Sequence, residues 1–168
     1  MSKSVRYLSH AALIAALYLV LTHLQNAVFP NSATFAIQFR ASEALCVLAF
    51  FTPAAIPGLT LGCLLFNLTF AGALPLDFVV GSAATLLAAV SMRGLRKVTV
   101  KGLPVPGLMM PALWNALLVG WELTAVIGGG FAVNALCVAL GELGVLLTLG
   151  ALLYMGMKRQ GLDRRMFG

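Results

Sequence analysis

The chain has 168 residues, of which 61% are hydrophobic and 10% are charged. Its mean hydropathy of +0.99 excludes an ordinary soluble domain, because such a domain needs a more polar surface. The formal net charge of +6 could suit a nucleic-acid ligand, but the placement of the basic residues favours membrane anchoring and no nucleic acid.

Apolar runs of about 20 residues match the thickness of the hydrocarbon core of a bilayer. Six runs between helix-breaking residues are predicted as membrane spans. They cover residues 7–28, 36–52, 54–71, 75–92, 107–127 and 131–157. The predicted fold is an all-α membrane protein, with residues 1–168 forming a single six-helix transmembrane domain.

The runs differ in how clearly their ends are marked. The first has the basic start of a signal peptide but no convincing cleavage site, so we predict a retained helix. The second is continuously apolar only over residues 44–51 and must recruit the residues before them. Residues 93–107 form the strongest break, and three glycines at 128–130 predict a very short turn between the last two helices.

Lysine and arginine residues indicate the orientation. Six spans place three basic segments on one face, and these segments hold ten of the 11 basic residues. The ten are Lys3, Arg6, Arg93, Arg96, Lys97, Lys101, Lys158, Arg159, Arg164 and Arg165. By the positive-inside rule this face is cytoplasmic, so both termini are predicted to be cytoplasmic in a multi-pass plasma-membrane protein.

Several polar side chains interrupt the apolar runs, mostly in the half of the membrane opposite the basic segments. An ionisable group at the centre of a bilayer costs about 2.5–3.5 kcal/mol on insertion scales, so it normally faces a cavity or a partner group. We therefore predict a substrate pocket. Its candidate residues are Gln38, Arg40, Glu43, Asn67, Asp77, Trp114, Asn115, Glu122, Asn134 and Glu142.

Spacing supports a shared polar face. Asn115 and Glu122 are seven residues apart, and Trp114 and Trp121 flank them at the same spacing with flat surfaces for a ring. The alternative is structural: the polar groups bond between helices, and the tryptophans mark the membrane interface. For Arg40, which lies three residues before Glu43, mutual pairing on a helix is the alternative.

Small residues predict close helix packing at two places. Gly58 and Gly62 are interpreted as internal packing of the third helix. The first helix carries two overlapping small-residue patterns, which we interpret as a contact surface for another helix. Its residues are Ala11, Ala12, Ala15 and Ala16.

No motif of a soluble enzyme is present. The sequence has no P-loop, no G-x-S-x-G, no H-E-x-x-H and no dinucleotide fingerprint, so we predict neither enzymatic activity nor a cofactor. Cys46, Cys63 and Cys137 lack metal-ligand spacing and are predicted to be buried as small hydrophobic residues, with no metal site. Uphill transport would need energy from a partner or an ion gradient.

Five stretches of the sequence are long and unusual in combination. They are IQFRASEAL (37–45), FFTPAAIPGLTLGCLLFN (50–67), LDFVVGSAATLLAA (76–89), PALWNALLVG (111–120) and GE (141–142). Together they resemble the queuosine-precursor transporter family, QueT, whose members are substrate-binding S-components of energy-coupling factor (ECF) transporters. The resemblance covers nearly the whole chain.

The resemblance implies a six-helix S-component fold with cytoplasmic ends and a site near the extracellular face, capped by residues 29–39. It also implies partners: a transmembrane scaffold subunit and two cytoplasmic ATPases, whose hydrolysis drives the S-component to topple in the membrane. The four alanines of the first helix resemble the motif through which S-components dock on that scaffold.

The implied substrate is a 7-deazaguanine such as the aminomethyl or cyano precursor of queuosine. A glutamate with an asparagine or glutamine suits its guanine-like edge, and a second carboxylate, with Asp77 as a candidate, suits an aminomethyl arm. Two alternatives remain: an S-component for another vitamin or nucleobase, and a small membrane enzyme that uses Glu122 and Glu142 as acid and base.

Overall fold

A computed structural model of the chain describes residues 2–30 and 39–162. Over these residues the fold is helical without a β-strand, and one isolated bridge joins Val100 and Leu103. Six helices follow the six predicted runs. They are α1 (Lys3–Val28), α2 (Ala41–Phe51), α3 (Ala55–Thr69), α4 (Asp77–Gly94), α5 (Met110–Val126) and α6 (Phe131–Arg159).

Three of these helices are long and apolar enough to cross a membrane: Lys3–Val28, Asp77–Lys97 and Phe131–Arg159. The second and third helices, Ala41–Phe51 and Ala55–Thr69, are apolar but shorter. At 1.5 Å per residue, a helix of about 15 residues falls short of the roughly 30 Å hydrocarbon core. Three of the six predicted spans are thus helices long enough to cross a membrane, and the six-span topology stays a prediction.

Prolines explain where the helices break. Thr52 is extended, with φ −134° and ψ 137°, because a residue that precedes proline is disfavoured in helical geometry. Pro53 therefore ends α2 and starts the turn into α3. Pro111 lies in the first turn of α5, where its missing N–H removes no helical hydrogen bond.

The second helix begins later than the sequence predicted. Arg40 is extended, with φ −102° and ψ 98°, and helical geometry starts at Ala41 as a 3-10 helix. The side chain of Gln25 on α1 replaces the missing helical bonds: its oxygen accepts from Ala41 N at 2.7 Å, and its amide donates to Phe39 O. This arrangement leaves Arg40 outside any helix.

The helices form a chain of neighbours in which α1 packs on α3, α3 on α4, α4 on α5, and α5 on α6. The 3-10 part of α2 lies in the middle and contacts α1, α3, α4 and α6. Its residues are accordingly among the most buried in the protein, with Ser42, Glu43, Cys46 and Val47 fully buried. A polar residue on α2 therefore faces protein rather than lipid.

The contact between α1 and α3 is unusually close. A Cβ atom added at Gly58 would lie 2.7 Å from Ala11 O, and one at Gly62 would lie 2.7 Å from Tyr18 Cβ. This confirms the interpretation of the two glycines as internal packing. Without side chains there, the α1 backbone approaches α3 directly.

The described basic segments gather at one end of the bundle, which we call the basic end. Arg93 donates to Phe50 O at 3.1 Å, and Lys158 lies 5.5 Å from the ring centroid of Phe51. Arg6 lines a cavity with Thr52 at the turn after α2. The common placement of the three segments follows the sequence prediction, although Arg164 and Arg165 lie outside the described residues.

Candidate functional site

Polar side chains from all six helices meet in the interior of the bundle. Each is at most 8% exposed, which is unusual for so many polar groups in an apolar fold. We call this set the polar cluster. It consists of Tyr18, Arg40, Glu43, Asn67, Asp77, Asn115, Glu122 and Glu142.

At the centre of the cluster, a tyrosine connects a glutamate and an arginine. Tyr18 Oη donates to Glu43 Oε1 at 2.5 Å, and Arg40 Nη1 lies 3.5 Å from Tyr18 Oη. Glu43 Oε2 accepts from Cys46 Sγ at 3.0 Å. The guanidinium also lies 5.6 Å from the ring centroid of Phe66. Both oxygens of Glu43 are therefore satisfied by the protein itself.

The start of α4 positions Asp77. Its Oδ2 accepts from Leu74 N at 2.7 Å, and its main-chain oxygen accepts from Asn67 Nδ2 at 2.7 Å. Asp77 occupies the first turn of α4, where the helix dipole favours a negative charge. The carboxylate is thus fixed at the α4 N-terminus, at the end of the bundle opposite the basic end.

Glu122 and Glu142 differ from these two acids because the described residues leave all four of their carboxylate oxygens without a hydrogen bond. Glu122 is 0% exposed and Glu142 is 1% exposed. The nearest polar groups are Asn115 for Glu142 and Asp77 for Glu122. A buried carboxylate without partners is strongly disfavoured. These groups are therefore available to bind an occupant of the cluster.

The charges in the cluster are unbalanced. It holds four carboxyl groups and the Arg40 guanidinium, which is within electrostatic range of Glu122 and Glu142. Acidic groups thus outnumber the one guanidinium of the cluster, and acceptor atoms outnumber donor atoms. This composition suits a ligand rich in N–H donors, or one that carries a positive charge.

Comparison with known families decides the class of protein. The model of the QueT transporter family matches residues 8–159, which include every residue of the polar cluster. The chain belongs to the QueT transporter family. No curated protein and no solved structure shows a significant match. This QueT member is a membrane transport protein, in agreement with its long apolar helices.

Not every predicted pocket residue of this QueT protein joins the cluster. Trp114 Nε1 donates to Ser91 Oγ at 3.0 Å between α5 and α4, and Trp121 is 52% exposed. Asn134 donates to Thr124 Oγ1 at 3.0 Å and to Gly128 O at 3.1 Å, which ties the turn between α5 and α6. Gln38 lies outside the described residues. A ligand contact for Gln38, Trp114 and Asn134 stays a prediction.

Arg40 and Glu43 do not form the pair on one helix that was the structural alternative in the sequence analysis. Arg40 precedes α2 instead of sharing a helical face with Glu43, so the two do not meet as neighbours one turn apart. The hydroxyl of Tyr18 lies between them instead.

The four alanines of the first helix form two pairs with different surroundings. Ala11 and Ala15 are buried against α3 beside the two glycines, so their side chains face inward. Ala12 and Ala16 are exposed on the surface of α1. A contact with another subunit is therefore open to the second pair, while the first pair is engaged in internal packing.

Sequence reasoning missed the polar contribution of α1. Tyr18 binds Glu43, Thr22 Oγ1 donates to Ser42 Oγ at 2.6 Å, and Gln25 holds the start of α2. Residues 18, 22 and 25 share one helical face of an otherwise apolar helix, and this spacing was the available signal. Cys46 and Cys63 are buried as predicted, and their sulfur atoms also contact Glu43 and Arg40. The prediction is wrong for Cys137, which is only partly buried.

Proposed function

We propose that this QueT protein is the substrate-binding S-component of an ECF importer in the plasma membrane, and that it takes up a queuosine precursor. The substrate is a 7-deazaguanine that carries an aminomethyl or cyano group. The observation that carries the proposal is the pair of buried carboxylates without partners, Glu122 and Glu142, in a member of a transporter family.

Base recognition in this proposal rests on Glu142 and Asn115. The guanine-like edge presents N–H donors next to a carbonyl acceptor, which a carboxylate and an amide complement. Asn115 lies beside Glu142 on the neighbouring helix, so one ligand edge can reach both. A charge-assisted hydrogen bond contributes about 1.5–3 kcal/mol, enough for the carboxylate to dominate affinity.

Entry and closure involve the segment before α2. Residues 29–39 are the proposed cap of the site, and most of them lie outside the described residues. Phe39, at the end of this segment, packs its ring near Gly144 on α6, and its carbonyl accepts from Gln25. Phe39, the last residue of the proposed cap, is thus held by α1 and α6 directly before Arg40.

ATP-driven uptake requires partner subunits, because the sequence has no nucleotide-binding motif. We propose a transmembrane scaffold subunit and two cytoplasmic ATPases whose hydrolysis reorients the chain in the bilayer. The exposed Ala12 and Ala16 give the scaffold a flat surface near the basic end of α1. The basic end is then the cytoplasmic end.

The decisive experiment measures ligand binding by the purified chain in detergent or nanodiscs. Titrations with the aminomethyl and cyano bases should saturate, whereas adenine should not bind, because it lacks the N–H donors next to a carbonyl. Mass spectrometry should recover the ligand unchanged. Conversion of the ligand would indicate the membrane enzyme, and binding of an unrelated vitamin alone would indicate another type of S-component.

A further inference from the structure

Two neighbouring cavities lie at the basic end of the bundle and share a wall. The first, which we call the basic cavity, has a volume of about 210 Å³ and lies between the start of α1 and the turn after α2. Its lining consists of Arg6, Tyr7, His10, Thr52 and Pro53. His10 also lines the second cavity, so the two adjoin at this side chain.

The second cavity, which we call the apolar groove, has a volume of about 230 Å³ and lies between α1, α2 and the end of α6. Within the described chain its lining is apolar apart from His10, and all three helices contribute leucines to it. These leucines include Leu13, Leu17, Leu45, Leu48 and Leu153. Leu13 is 53% exposed and Leu17 is 42% exposed, so the groove opens to the outside of the bundle.

The length of the groove corresponds to part of an acyl chain. From His10 to Leu17 the α1 helix rises by about 10 Å, because each residue advances 1.5 Å along the axis. One leaflet contributes about 15 Å to the hydrocarbon core of a bilayer. The groove therefore extends from the basic end through much of one leaflet, in a chain whose long apolar helices are suited to a membrane.

The surroundings of the basic cavity are positively charged. Arg6 lies in its wall. Arg93 and Lys158 lie against the end of α2, which leads directly into the turn that lines the cavity. The four acidic residues within the described ranges all belong to the polar cluster, and Asp163 lies outside those ranges. An anion is thus complementary in charge to the cavity, and its oxygens can accept from guanidinium, imidazole and hydroxyl groups.

We propose that the basic cavity and the apolar groove together bind one anionic phospholipid from the leaflet at the basic end. The phosphate group lies at Arg6 and His10, and one acyl chain follows the leucines of the groove. An amphipathic lipid uses both cavities, whereas a free anion would use only the first. The lipid then holds the start of α1 against the ends of α2 and α6.

This site is independent of substrate recognition. None of the polar-cluster residues lines either cavity, and neither Ala12 nor Ala16 does so. The proposal therefore goes beyond the transport function and stands whichever compound is transported.

The headgroup is tested by native mass spectrometry of the purified chain in detergent, with phosphatidylglycerol or phosphatidylcholine of identical acyl chains. Wild-type protein should bind one phosphatidylglycerol at least about fivefold more tightly than phosphatidylcholine. Arg6→Gln should lower the affinity for phosphatidylglycerol by about fivefold and leave that for phosphatidylcholine unchanged. Lys101→Gln removes the same charge from the basic end outside both cavities, so this control should bind like wild type.

The groove is tested by filling it. Leu13→Trp should weaken binding of both lipids, because the larger side chain occupies the path of the acyl chain. Val20→Trp is the matched control, since Val20 is 60% exposed on α1 and does not line the groove. Thermal unfolding in lipid-free detergent checks the folding of each variant. Arg6→Lys, which keeps the charge, should retain the preference for phosphatidylglycerol.

The alternative occupants give different results. Equal affinity of wild-type protein for the two lipids, or equal losses in Arg6→Gln and Lys101→Gln, overturns the proposal. Displacement of the lipid by inorganic phosphate, with no effect of Leu13→Trp, overturns it in favour of a free anion. A lipid-free dimer that Leu13→Trp dissociates overturns it in favour of a second copy of the chain. Selective losses in Arg6→Gln and Leu13→Trp, with both controls unchanged, support it.

Discussion

At the scale of single residues, the interior of this QueT protein divides its acids into two kinds. Glu43 is bonded on both oxygens by Tyr18 and Cys46, whereas Glu122 and Glu142 have no hydrogen-bond partner among the described residues. The satisfied acid organises the fold around α2. The unsatisfied acids are the groups that a ligand can satisfy, and their substitution therefore affects binding more than folding.

Replacing Tyr18 with phenylalanine should destabilise the protein by about 1–3 kcal/mol, because Glu43 then loses its buried donor. The melting temperature in detergent is the measurement. Tyr7, which is 40% exposed, provides the matched control, and Tyr7→Phe should leave the melting temperature unchanged. Equal melting temperatures for Tyr18→Phe and wild type would contradict the organising role of this hydroxyl.

Replacing Glu142 with glutamine should weaken binding of every 7-deazaguanine by about ten- to a hundredfold, since one acceptor becomes a donor at the base edge. Trp121→Phe is the control because Trp121 is half exposed on the outside of α5, and its affinity should match wild type. Isothermal titration of the two variants distinguishes them. Full affinity in a folded Glu142→Gln protein would make Glu142 an interhelical residue.

At the scale of elements, α1 has two different sides. One side packs on the glycines of α3 and carries Ala11 and Ala15, while Ala12 and Ala16 face outward. All four residues are alanines, because a small apolar side chain suits contact with a neighbouring helix as well as contact with lipid. Adjacent alanines in the sequence thus have different roles, and a pair of substitutions one residue apart tests them.

Ala11→Trp should lower stability and ligand affinity together, because a large side chain cannot fit between α1 and α3. Ala12→Trp should keep both properties and abolish uptake in vesicles that contain the scaffold and the ATPases, because it obstructs the proposed scaffold contact. Melting temperature, binding and uptake are measured in parallel. If Ala12→Trp transports normally, the outward face of α1 is not the docking surface.

At the scale of the whole molecule, the described basic segments lie at the end opposite the start of α4 and the Gly128 turn. Charge is therefore distributed asymmetrically along the axis of the bundle. Basic groups surround one end, and Asp77 lies at the other. Such asymmetry sets orientation during insertion, because basic loops are retained in the cytoplasm.

Reporter fusions after Lys101 and after Gly168 should both give cytoplasmic signals. The physical reason is that translocation of either segment would carry several lysine or arginine residues across the membrane. A fusion within the short turn at Gly129 is the control and should report the outside. An external signal at Lys101 would invert the topology and place the proposed substrate site on the cytoplasmic side.

The sequence by itself determined the number of helices, their approximate limits and the grouping of the basic segments. These features depend on local properties: long apolar runs, prolines and glycines that break helices, and charges in short loops. The family could also be identified from the sequence, because its motifs extend over most of the chain and the family model matches residues 8–159. The late start of α2 escaped prediction, since Gln25, distant in sequence, bonds to it.

Only the tertiary structure decided which polar residues meet. A membrane helix is apolar toward both lipid and protein, so hydrophobic periodicity does not reveal its inward face. Asn115 and Glu122 face the cluster, whereas Trp121, between them in sequence, faces outward. Asn134 is held by its own turn, and Tyr18 joins Glu43 across 25 residues of sequence. Such contacts depend on helix rotation and neighbours, which are fixed by packing of the whole bundle.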